Sequence, residues 1–464
     1  MYLKSAAMVP HPPLIIPQIG RGQEKAIQDT ITAYRKAADL IATGKPDTII
    51  VITPHSAMYA DYFHISPGTM AKGSFAQFHA GDVSLEAKYD TAFVTELCRR
   101  AKAAGLPAGT MGEREKKLDH ASMVPLCFVR DAFGGKLPVK IVRIGLSALP
   151  YADHYRLGML IGETAQCLQT SIAVIASGDL SHRLKENGPY GFAKEGPAYD
   201  EKIMDIMGRA TFDELLHFDP DFCESAGECG HRSFVMMAGC FDGLAVQAQK
   251  LSYQGPYGVG YGVCTYLPLQ KDPSRHFLAK YIEEQKQEQL KRKQTEDEYV
   301  RLARQALESF VLQGRTIDMP VNLPDEILNR RAGVFVSLKK HGQLRGCIGT
   351  ISATTQSIAL EIMQNAVSAG TQDPRFDPVM PDELDELVYS VDVLGETEDI
   401  ASPAELDVQR YGVIVSTGHK RGLLLPNLPG IDTVNQQIDI AKQKAGIREN
   451  EKVTLQRFEV VRHH

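Results

Sequence analysis

Four histidines in the first half of the chain are the residues best suited to chemistry: His11, His55, His120 and His182. Each stands in a short motif close to a strand-like run. A neutral imidazole binds transition metals, and its ordinary pKa lets it exchange a proton near physiological pH. The four together therefore predict a metal site or an acid/base site. None of their spacings matches a zinc finger or a metalloprotease helix, so the ligands must come from distant strands.

Buried parallel strands are expected to bring these histidines together. Thr48–Thr53 has a continuous apolar centre and ends just before His55, and Ile172–Ala176 leads in the same way toward His182. A shorter run, Leu3–Met8, precedes the first histidine. In an open α/β sheet the carboxyl ends of the strands form the crevice where ligands bind. Histidines that several strands deliver to that edge are expected to share one site.

Composition limits the class of protein. A length of 464 residues predicts two or three domains, and 43% hydrophobic with 23% charged residues is typical of a soluble globular protein. A formal net charge of −6 without a basic cluster argues against a nucleic-acid partner. The cysteines are scattered and form no disulfide framework. With neither a secretory signal nor an apolar run of ~18 residues, we expect a cytoplasmic protein with no membrane contact.

Residues 1–268 are predicted to form an α/β domain with a largely parallel central sheet flanked by helices. The prediction depends on strand-like runs that alternate with helical stretches. The strands are predicted at Leu3–Met8, Thr48–Thr53, Val139–Ile144, Ile172–Ala176 and Val259–Leu267, and the helices at Gly22–Ala42, Leu85–Ala104, His154–Gln169, Ala198–Gly208 and Phe234–Asp242.

A second domain is predicted after a charged linker at residues 269–295. The centre of that segment is almost wholly polar, which is typical of a solvated helix. Residues 296–464 are predicted to form an α+β module. Its helices are predicted at Tyr299–Leu312 and Ser357–Ala369, and its strands at Ala332–Leu338, Leu387–Leu394, Tyr411–Ser416 and Gly422–Leu425.

A two-histidine, one-carboxylate site is the metal chemistry that these residues favour. Such a ligand set leaves one face of the ion open, which suits non-haem Fe(II) because substrate and dioxygen can bind there together. His11 and His55 are taken as the imidazoles. Glu228, next to Cys229 and just before Phe234–Asp242, is the preferred carboxylate. The competing interpretation is that Glu228 is an acid at a helix N-terminus that complements the helix dipole.

Four motifs in order resemble the class III extradiol dioxygenases, the LigB-like superfamily to which the Memo proteins are also related. They are His-Pro-Pro near the start, Pro-His-Ser after a strand, Leu-Asp-His, and Gly-Asp-Leu-Ser-His-Arg after a later strand. The resemblance spans nearly all of residues 1–268. It implies that His11 and His55 bind iron. It also implies that His182 acts as the acid/base next to the substrate and that His120 lies beside substrate or oxygen.

The resemblance leaves the third ligand open. Ring-cleaving members use a glutamate, whereas Memo-like members have a cysteine before a glycine, and this chain has Glu228-Cys229-Gly230. Glu228 is preferred, because a carboxylate with two histidines makes an oxygen-binding Fe(II) site. Fe(II) is the expected metal, with zinc or manganese as alternatives. A thiolate at Cys229 would favour softer metals such as zinc or copper.

Residues 296–464 resemble the AMMECR domain family, whose biochemical activity is not established. Within its first motif Arg345 stands beside Cys347, and an adjacent cation can lower the pKa of a thiol and make it reactive. The alternative is that Cys347 is a small buried hydrophobe between two glycines that serve packing. The motifs that carry the resemblance are Leu344–Gly349, Asp373–Phe376, Gly422–Pro426 and Lys444–Ile447.

The leading expectation is an Fe(II)-dependent extradiol ring-cleavage enzyme with an AMMECR module of unknown activity. It would act on a small aromatic substrate, a catechol or aminophenol, together with O2. The alternative is a Memo-like metal-binding protein that cleaves no ring and works with a radical-SAM modification system, a partner that fusions of this kind imply. A zinc hydrolase that uses the same pocket is a further alternative. In each case a homo-oligomer is expected.

Overall fold

The computed structural model describes residues 2–112, 117–340, 342–428, 430–448 and 450–464. The chain divides into two compact units, Met1–Gln285 and Lys286–His464. Across the described ranges, every helix is too short or too polar to cross a lipid bilayer.

The first unit is an α/β domain, and the predicted fold class is confirmed. Its strands are β1 Leu3–Val9, β2 Thr48–Thr53, β3 Phe63–His64, β4 Met70–Phe75, β5 Ala80–Tyr89, β6 Ala108–Gly109, β7 Lys140–Gly145, β8 Ile172–Ser177, β9 Leu244–Gln254 and β10 Tyr261–Lys271. Its helices are α1 Pro17–Gly20, α2 Gln28–Thr43, α3 Thr91–Ala103, α4 His120–Ala132, α5 Tyr151–Leu168, α6 Glu195–Arg209, α7 Pro220–Ala226 and α8 His231–Gly239.

The main sheet of this unit has eight strands in the order β4-β5-β7-β2-β8-β1-β10-β9. The pairs from β5 through β7, β2 and β8 to β1 are parallel, whereas the pairs at both edges are antiparallel. The parallel centre places the carboxyl ends of β2, β8 and β1 side by side at one edge.

Helices cover both faces of the parallel centre. Ile50 and Ile52 of β2 pack into a core with α3, α5 and α8, whereas Ile49 and Val51 pack into a separate core with α2 and α4. Successive side chains of a strand point to opposite faces, so a strand buried on both faces must be apolar throughout. This is why the central strands were readable as unbroken apolar runs.

The predicted helix Leu85–Ala104 is wrong at its start. Its first residues complete β5, which pairs with β4 and β7, and helix α3 begins at Thr91. Asp90 fixes that start, because its side chain accepts a hydrogen bond from the amide of Phe93. Helix α4 was not predicted, since it contains Pro125 in its interior.

The second unit is an α+β module, as predicted. Its sheets have the orders β12-β11-β13-β18 and β14-β17-β15-β16, and the described pairs are antiparallel. Helices α10 and α12 pack on the first sheet, and α13 packs on the second. The strands are β11 Val334–Lys340, β12 Gln343–Gly349, β13 Leu387–Leu394, β14 Glu398–Ile400, β15 Gly412–Thr417, β16 Lys420–Leu424, β17 Thr454–Phe458 and β18 Val460–His463, and the helices are α10 Glu298–Gln313, α11 Asp325–Asn329, α12 Ile358–Thr371 and α13 Val434–Lys444.

Helix α9, Phe277–Thr295, crosses the boundary between the two units. Phe277 and Leu278 at its start are buried in a core of the first unit. Most of its later residues are exposed, in keeping with the polar sequence. The segment predicted as a linker, 269–295, therefore contains the end of β10 and the whole of this helix.

Candidate metal centre

The candidate site lies at the carboxyl ends of three neighbouring strands. His11 follows β1, His55 follows β2, and His182 follows β8, which lies between the other two strands in the sheet. In-register parallel pairing of β1 with β8, ending at Val9 opposite Ser177, brings their following loops to the same edge. The sheet order therefore explains why residues far apart in sequence meet.

Three histidines form the centre of the site. The Nε2 atoms of His11 and His55 are 3.1 Å apart. One ring nitrogen from each of His11, His55 and His120 lies within 4.8 Å of the others. His11 is buried, His120 is half-buried and His55 is exposed, so the cluster opens to solvent on one side. Ring nitrogens at these separations can bind one metal ion together.

Burial keeps these imidazoles neutral. It lowers the pKa of His11 well below its ordinary value, and the neighbouring His55 and His120 lower it further. Burial, with repulsion from His55, lowers the pKa of His120 to about 4. The pKa of His55 is also lowered, mainly by partial desolvation of its ring, although the residue is exposed on one side. The neutral form is the one that binds a metal, so the three rings are already in the binding state near pH 7.

A serine fixes the tautomer of His11. The hydroxyl of Ser177 has a single hydrogen and donates it to the carbonyl of Ala121 at 2.7 Å. The Ser177 oxygen also lies 3.1 Å from Nδ1 of His11. Because the hydroxyl has no second hydrogen to donate, it must accept this bond, and Nδ1 must carry the ring proton. Nε2 of His11 is then left with a free lone pair directed toward His55. Such second contacts orient metal ligands in many proteins.

Asp119 ties the loops of His55 and His120 together. Its carboxylate accepts from the hydroxyl of Thr53 at 2.8 Å and from both the amide and the hydroxyl of Ser122, each at 2.8 Å. The same Thr53 oxygen accepts from the amide of His55 at 3.2 Å. Asp119 thus caps α4, which begins at His120, and joins it to the end of β2.

The structure places the sulfur of Cys229 next to His11, whereas the carboxylate of Glu228 binds the start of a helix. The sulfur of Cys229 lies 3.7 Å from Nε2 of His11 and accepts from the amide of Asp179 at 3.3 Å. Glu228 Oε2 accepts from the amide of His231 at 2.5 Å, at the start of α8. This is the helix-terminal arrangement that competed with the ligand interpretation. Burial also raises the pKa of Glu228 to about 7.

His182 presents its Nε2 atom as a base. Its Nδ1 lies 2.5 Å from the carbonyl oxygen of Gly227, which can only accept, so Nδ1 must carry the proton. Burial lowers the pKa of His182, which keeps the ring neutral and able to take a proton. The ring of Tyr190, with a centroid 5.1 Å away, lies beside it and is 63% exposed.

Asp179 is a site residue that sequence reasoning missed. Its Oδ1 accepts from the amide of His11 at 2.7 Å, and its Oδ2 lies 3.9 Å from Nε2 of the same histidine. Burial raises its pKa to about 7. The signal was present, because Asp179 belongs to the Gly-Asp-Leu-Ser-His-Arg motif. The motif by itself predicts a functional role for its histidine only.

The candidate residues of the second unit are arranged differently from the expectation. Arg345 does not pair with Cys347; its guanidinium donates to both carboxylate oxygens of Glu383, at 3.0 and 2.9 Å. The cation that touches Cys347 is Arg375, which donates to its carbonyl oxygen at 3.3 Å. The amide of Cys347 in turn donates to Asp373 at 2.8 Å.

Comparison with known proteins agrees with both halves of this description. The family model for the catalytic LigB subunit of aromatic ring-opening dioxygenase matches residues 5–264, more than half of the chain. The chain belongs to the LigB family. The AMMECR1 family model matches residues 300–463. Both resemblances stated from the motifs are therefore confirmed, and residues 5–264 are the LigB domain and residues 300–463 the AMMECR1 domain.

Relatives share either the whole chain or one domain. A protein of Clostridium acetobutylicum is 40% identical over 472 residues, covering 100% of this chain and 99% of its own length. A Thermotoga maritima protein is 50% identical over 170 residues, covering 36% of this chain and 98% of itself. The crystal structure of an uncharacterised Pyrococcus horikoshii protein has 32% identity and a TM-score of 0.33, covering 35% of this chain and 88% of that one. The names of these relatives state no activity.

Proposed function

We propose that the LigB domain is a mononuclear metal centre in which His11, His55 and Cys229 bind one transition-metal ion, with His120 beside them. The observation that supports this most is the Cys229 sulfur, 3.7 Å from the unprotonated Nε2 of His11. Two imidazoles and a thiolate are a softer donor set than two imidazoles and a carboxylate, so copper and zinc compete with iron. The proposal corresponds to the Memo-like alternative and requires no ring cleavage.

The residues around the ligands would supply positioning and proton transfer. Ser177 holds the tautomer of His11, and Asp179 holds its backbone. His182 offers a neutral Nε2 that takes a proton from a bound molecule. Burial raises the pKa of the Cys229 thiol well above its ordinary value, so the free thiol keeps its proton. When bound, the ion would replace that proton and lower the pKa of a hydroxyl group bound to it.

Extradiol ring cleavage is the second candidate function, because two further histidines adjoin the metal ligands. His120 lies within the three-histidine cluster, and His182 is near enough to His11 to lower its pKa by repulsion. In this candidate the same ligands would hold Fe(II), which would supply binding positions for O2 and for a catechol or aminophenol. His182 Nε2 would receive a phenolic proton, and His120 would lie beside the oxygen.

The metal-ligand proposal is tested by comparing Cys229→Ser with Glu228→Gln. Each protein is stripped of metal and titrated anaerobically with Fe(II), Cu(I) and Zn(II), and Cys167→Ser serves as the control at an exposed cysteine. We expect Cys229→Ser to lose stoichiometric binding, while Glu228→Gln and the control keep it. Loss in Glu228→Gln with retention in Cys229→Ser would reject the thiolate site and favour the carboxylate site of ring-cleaving enzymes.

Ring cleavage is tested separately with the Fe(II)-loaded protein and protocatechuate. O2 uptake that matches the yield of ring-opened product would support the second candidate. In that case His182→Ala should keep the metal and slow turnover by roughly 10²–10⁴-fold, the usual contribution of a general base. No turnover of this or other catechols by protein with full Fe(II) occupancy would leave the metal-binding function as the better description.

A further inference from the structure

Two motifs of the AMMECR1 domain that are distant in sequence meet at Cys347. The amide of Cys347 donates to Asp373 Oδ2 at 2.8 Å, and Arg375 donates to the carbonyl of Cys347 at 3.3 Å. Asp373 and Arg375 also form an ion pair at 2.6 Å. The loop that follows α12 is therefore fastened to the centre of strand β12, with a guanidinium next to the cysteine.

Two glycines make this convergence sterically feasible. A Cβ on Gly346 would lie 2.1 Å from the carbonyl oxygen of Ala369, so only glycine lets α12 lie this close to β12. A Cβ on Gly422 would lie 2.1 Å from the carbonyl oxygen of Ala441, so α13 approaches β16 in the same way. Both glycines belong to the family motifs. Gly346 thus lets the C-terminal end of α12 lie against the strand of Cys347, and Gly422 lets α13 lie against β16.

The end of α13 contributes a second cation. Partial desolvation and the charge of Arg375 lower the pKa of the exposed Lys444 side chain, whereas a thiolate at Cys347 raises it. The amino group of Lys444 is thus close enough to sense both residues. With it, all four motifs that identify the AMMECR1 domain contribute to one neighbourhood.

Two serine hydroxyl groups lie in line with Cys347 on the next two strands of the sheet. Ser337 on β11 is directly opposite Cys347 on β12, and Ser390 on β13 is directly opposite Ser337. The Ser337 hydroxyl donates to the sulfur of Cys347 at 3.2 Å. All three residues are half-buried, so solvent reaches them. A hydroxyl that donates to sulfur stabilises the thiolate, which is the nucleophilic form of cysteine.

We propose that Cys347 is the nucleophile of a second site, in the AMMECR1 domain, which takes a small electrophile carrying a carboxylate or phosphate group. Arg375 and Lys444 attract the anionic group, and Ser337 donates to the sulfur. In the reaction a bond forms between Sγ and the electrophilic carbon while the bond from that carbon to the leaving group breaks. The leaving group takes the electron pair, and the thiol proton passes to solvent.

Two alkylating reagents that differ mainly in charge test the proposal on the full chain. Iodoacetate carries a carboxylate and iodoacetamide does not; with either, the sulfur–carbon bond replaces the carbon–iodine bond and iodide leaves. Rates at Cys347 are measured by peptide mass spectrometry and compared with those of N-acetylcysteine amide, an uncharged free thiol. We expect the iodoacetate-to-iodoacetamide ratio to be about 10-fold higher at Cys347, as local positive charge concentrates anions. A ratio equal to that of the free thiol would overturn the proposal.

Matched lysine variants on α13 separate local charge from net charge. Lys444→Met should lower the rate ratio about 3- to 10-fold, since it removes one of the two attracting cations. Lys442→Met, on the same helix, should leave the ratio unchanged, and equal effects of the two variants would contradict the site. Circular dichroism melting of each variant confirms that it is folded.

Inorganic phosphate and acetate are then added as competitors of iodoacetate. Stronger protection of Cys347 by one of them identifies the preferred anion. Absence of protection by both would contradict the anion-binding half of the proposal.

Discussion

At the scale of single residues, backbone and hydroxyl partners decide which nitrogen each site histidine presents. Ser177 makes His11 a Nδ1–H tautomer, and the carbonyl of Gly227 does the same for His182. Both rings therefore direct an unprotonated Nε2 into the site. In the proposed function the Nε2 of His11, which lies 3.1 Å from His55 and 3.7 Å from the sulfur of Cys229, would bind the metal, and that of His182 would take a proton.

The role of Ser177 can be tested by removing its hydroxyl. Ser177→Ala leaves Nδ1 of His11 without an acceptor, so the tautomer is no longer fixed. We expect metal affinity, measured by competition with a chromophoric chelator, to fall about 10–100-fold. Ser5→Ala is the control, because Ser5 is also buried and its hydroxyl has no hydrogen-bond partner among the described residues. Equal affinities of the two variants would mean that Ser177 does not orient the ligand.

The Arg345–Glu383 pair predicts a pH dependence of stability. Hydrogen bonding to Arg345 lowers the pKa of Glu383 from 4.5 to about 2, and both side chains are largely shielded from solvent. Because the pKa of Glu383 is lower in the folded state than in the unfolded state, the ion pair stabilises the fold fully above pH 4.5. This contribution to the free energy of unfolding is lost as the pH falls toward 2. We expect the ion pair to contribute about 1–2 kcal/mol to the free energy of unfolding, after allowance for solvent screening.

The measurement compares wild type with Glu383→Gln by hydrogen exchange of the amides of β12 at pH 6 and pH 3.5. Exchange rates are first corrected for their intrinsic pH dependence. The wild type should lose more protection than the variant between these pH values. Parallel losses in the two proteins would show that the pair contributes nothing to stability.

At the scale of elements, the central strands were predictable and the edges were not. Strands β2 and β8 are buried on both faces, so their sequences are apolar without interruption. Edge strand β9 is largely half-exposed. Its polar and apolar residues do not alternate regularly, so its sequence does not indicate a strand clearly. The boundary between β5 and α3 depends on the cap at Asp90, a single hydrogen bond that the apolar pattern does not encode.

The site was predictable to a similar degree. His11, His55, His120 and His182 were predicted because each stands in a short distinctive motif, and the structure brings His11, His55 and His120 into one cluster. The third ligand was not resolved, since Glu228 and Cys229 are adjacent, and the backbone of the turn decides which of the two faces the histidines. That turn is held by a hydrogen bond to Asp179, 50 residues away in sequence, and by the local bond between Glu228 and the start of α8.

Glu361 organises the loop between β12 and α12. Its removal gives the prediction that belongs to this scale. Its carboxylate accepts from the hydroxyls of Thr350, Thr354 and Thr355 at 2.6, 2.8 and 2.7 Å, and from the amides of the last two at 3.0 and 2.8 Å. Glu361→Ala leaves several part-buried donors without the acceptor that they share, a side chain only 1% exposed. We expect it to lower the free energy of unfolding by about 2–4 kcal/mol.

Urea unfolding of the AMMECR1 domain within the full chain measures this loss. Leu360→Ala is the matched control, because Leu360 is the preceding residue of α12 and is 38% exposed. The control should change stability by no more than about 0.5 kcal/mol. A similarly small change in Glu361→Ala would mean that water can replace the carboxylate as acceptor without lowering the free energy of unfolding.

At the scale of the whole molecule, the exposed part of α9 predicts where a protease cuts. Residues 286–295 are mostly exposed and rich in lysine and arginine. Brief trypsin treatment should therefore cut there and leave two folded pieces that separate on size exclusion. The metal should remain with the N-terminal piece, because His11, His55, Cys229 and their neighbours all precede the cut.

Metal analysis of the two separated pieces decides this prediction, with uncut protein as the reference for occupancy. Metal in the C-terminal piece would make Cys347 a ligand candidate. Unfolding of the N-terminal piece after the cut would show that the LigB domain depends on the rest of the chain.

The position of β1 between β8 and β10 would govern when this protein can acquire the proposed metal ion. The two donors on either side of the site, His11 and Cys229, are separated by 218 residues. Ribosomes add about 5–20 residues per second, so the second donor is made about 10–40 s after the first. Until then the thiol of the proposed ligand set is missing, and β1 still lacks β10, which is made after Cys229. If Cys229 is a ligand, metal loading must follow synthesis of most of the LigB domain, which would make the nascent chain a poor competitor for ions and the completed domain a good one.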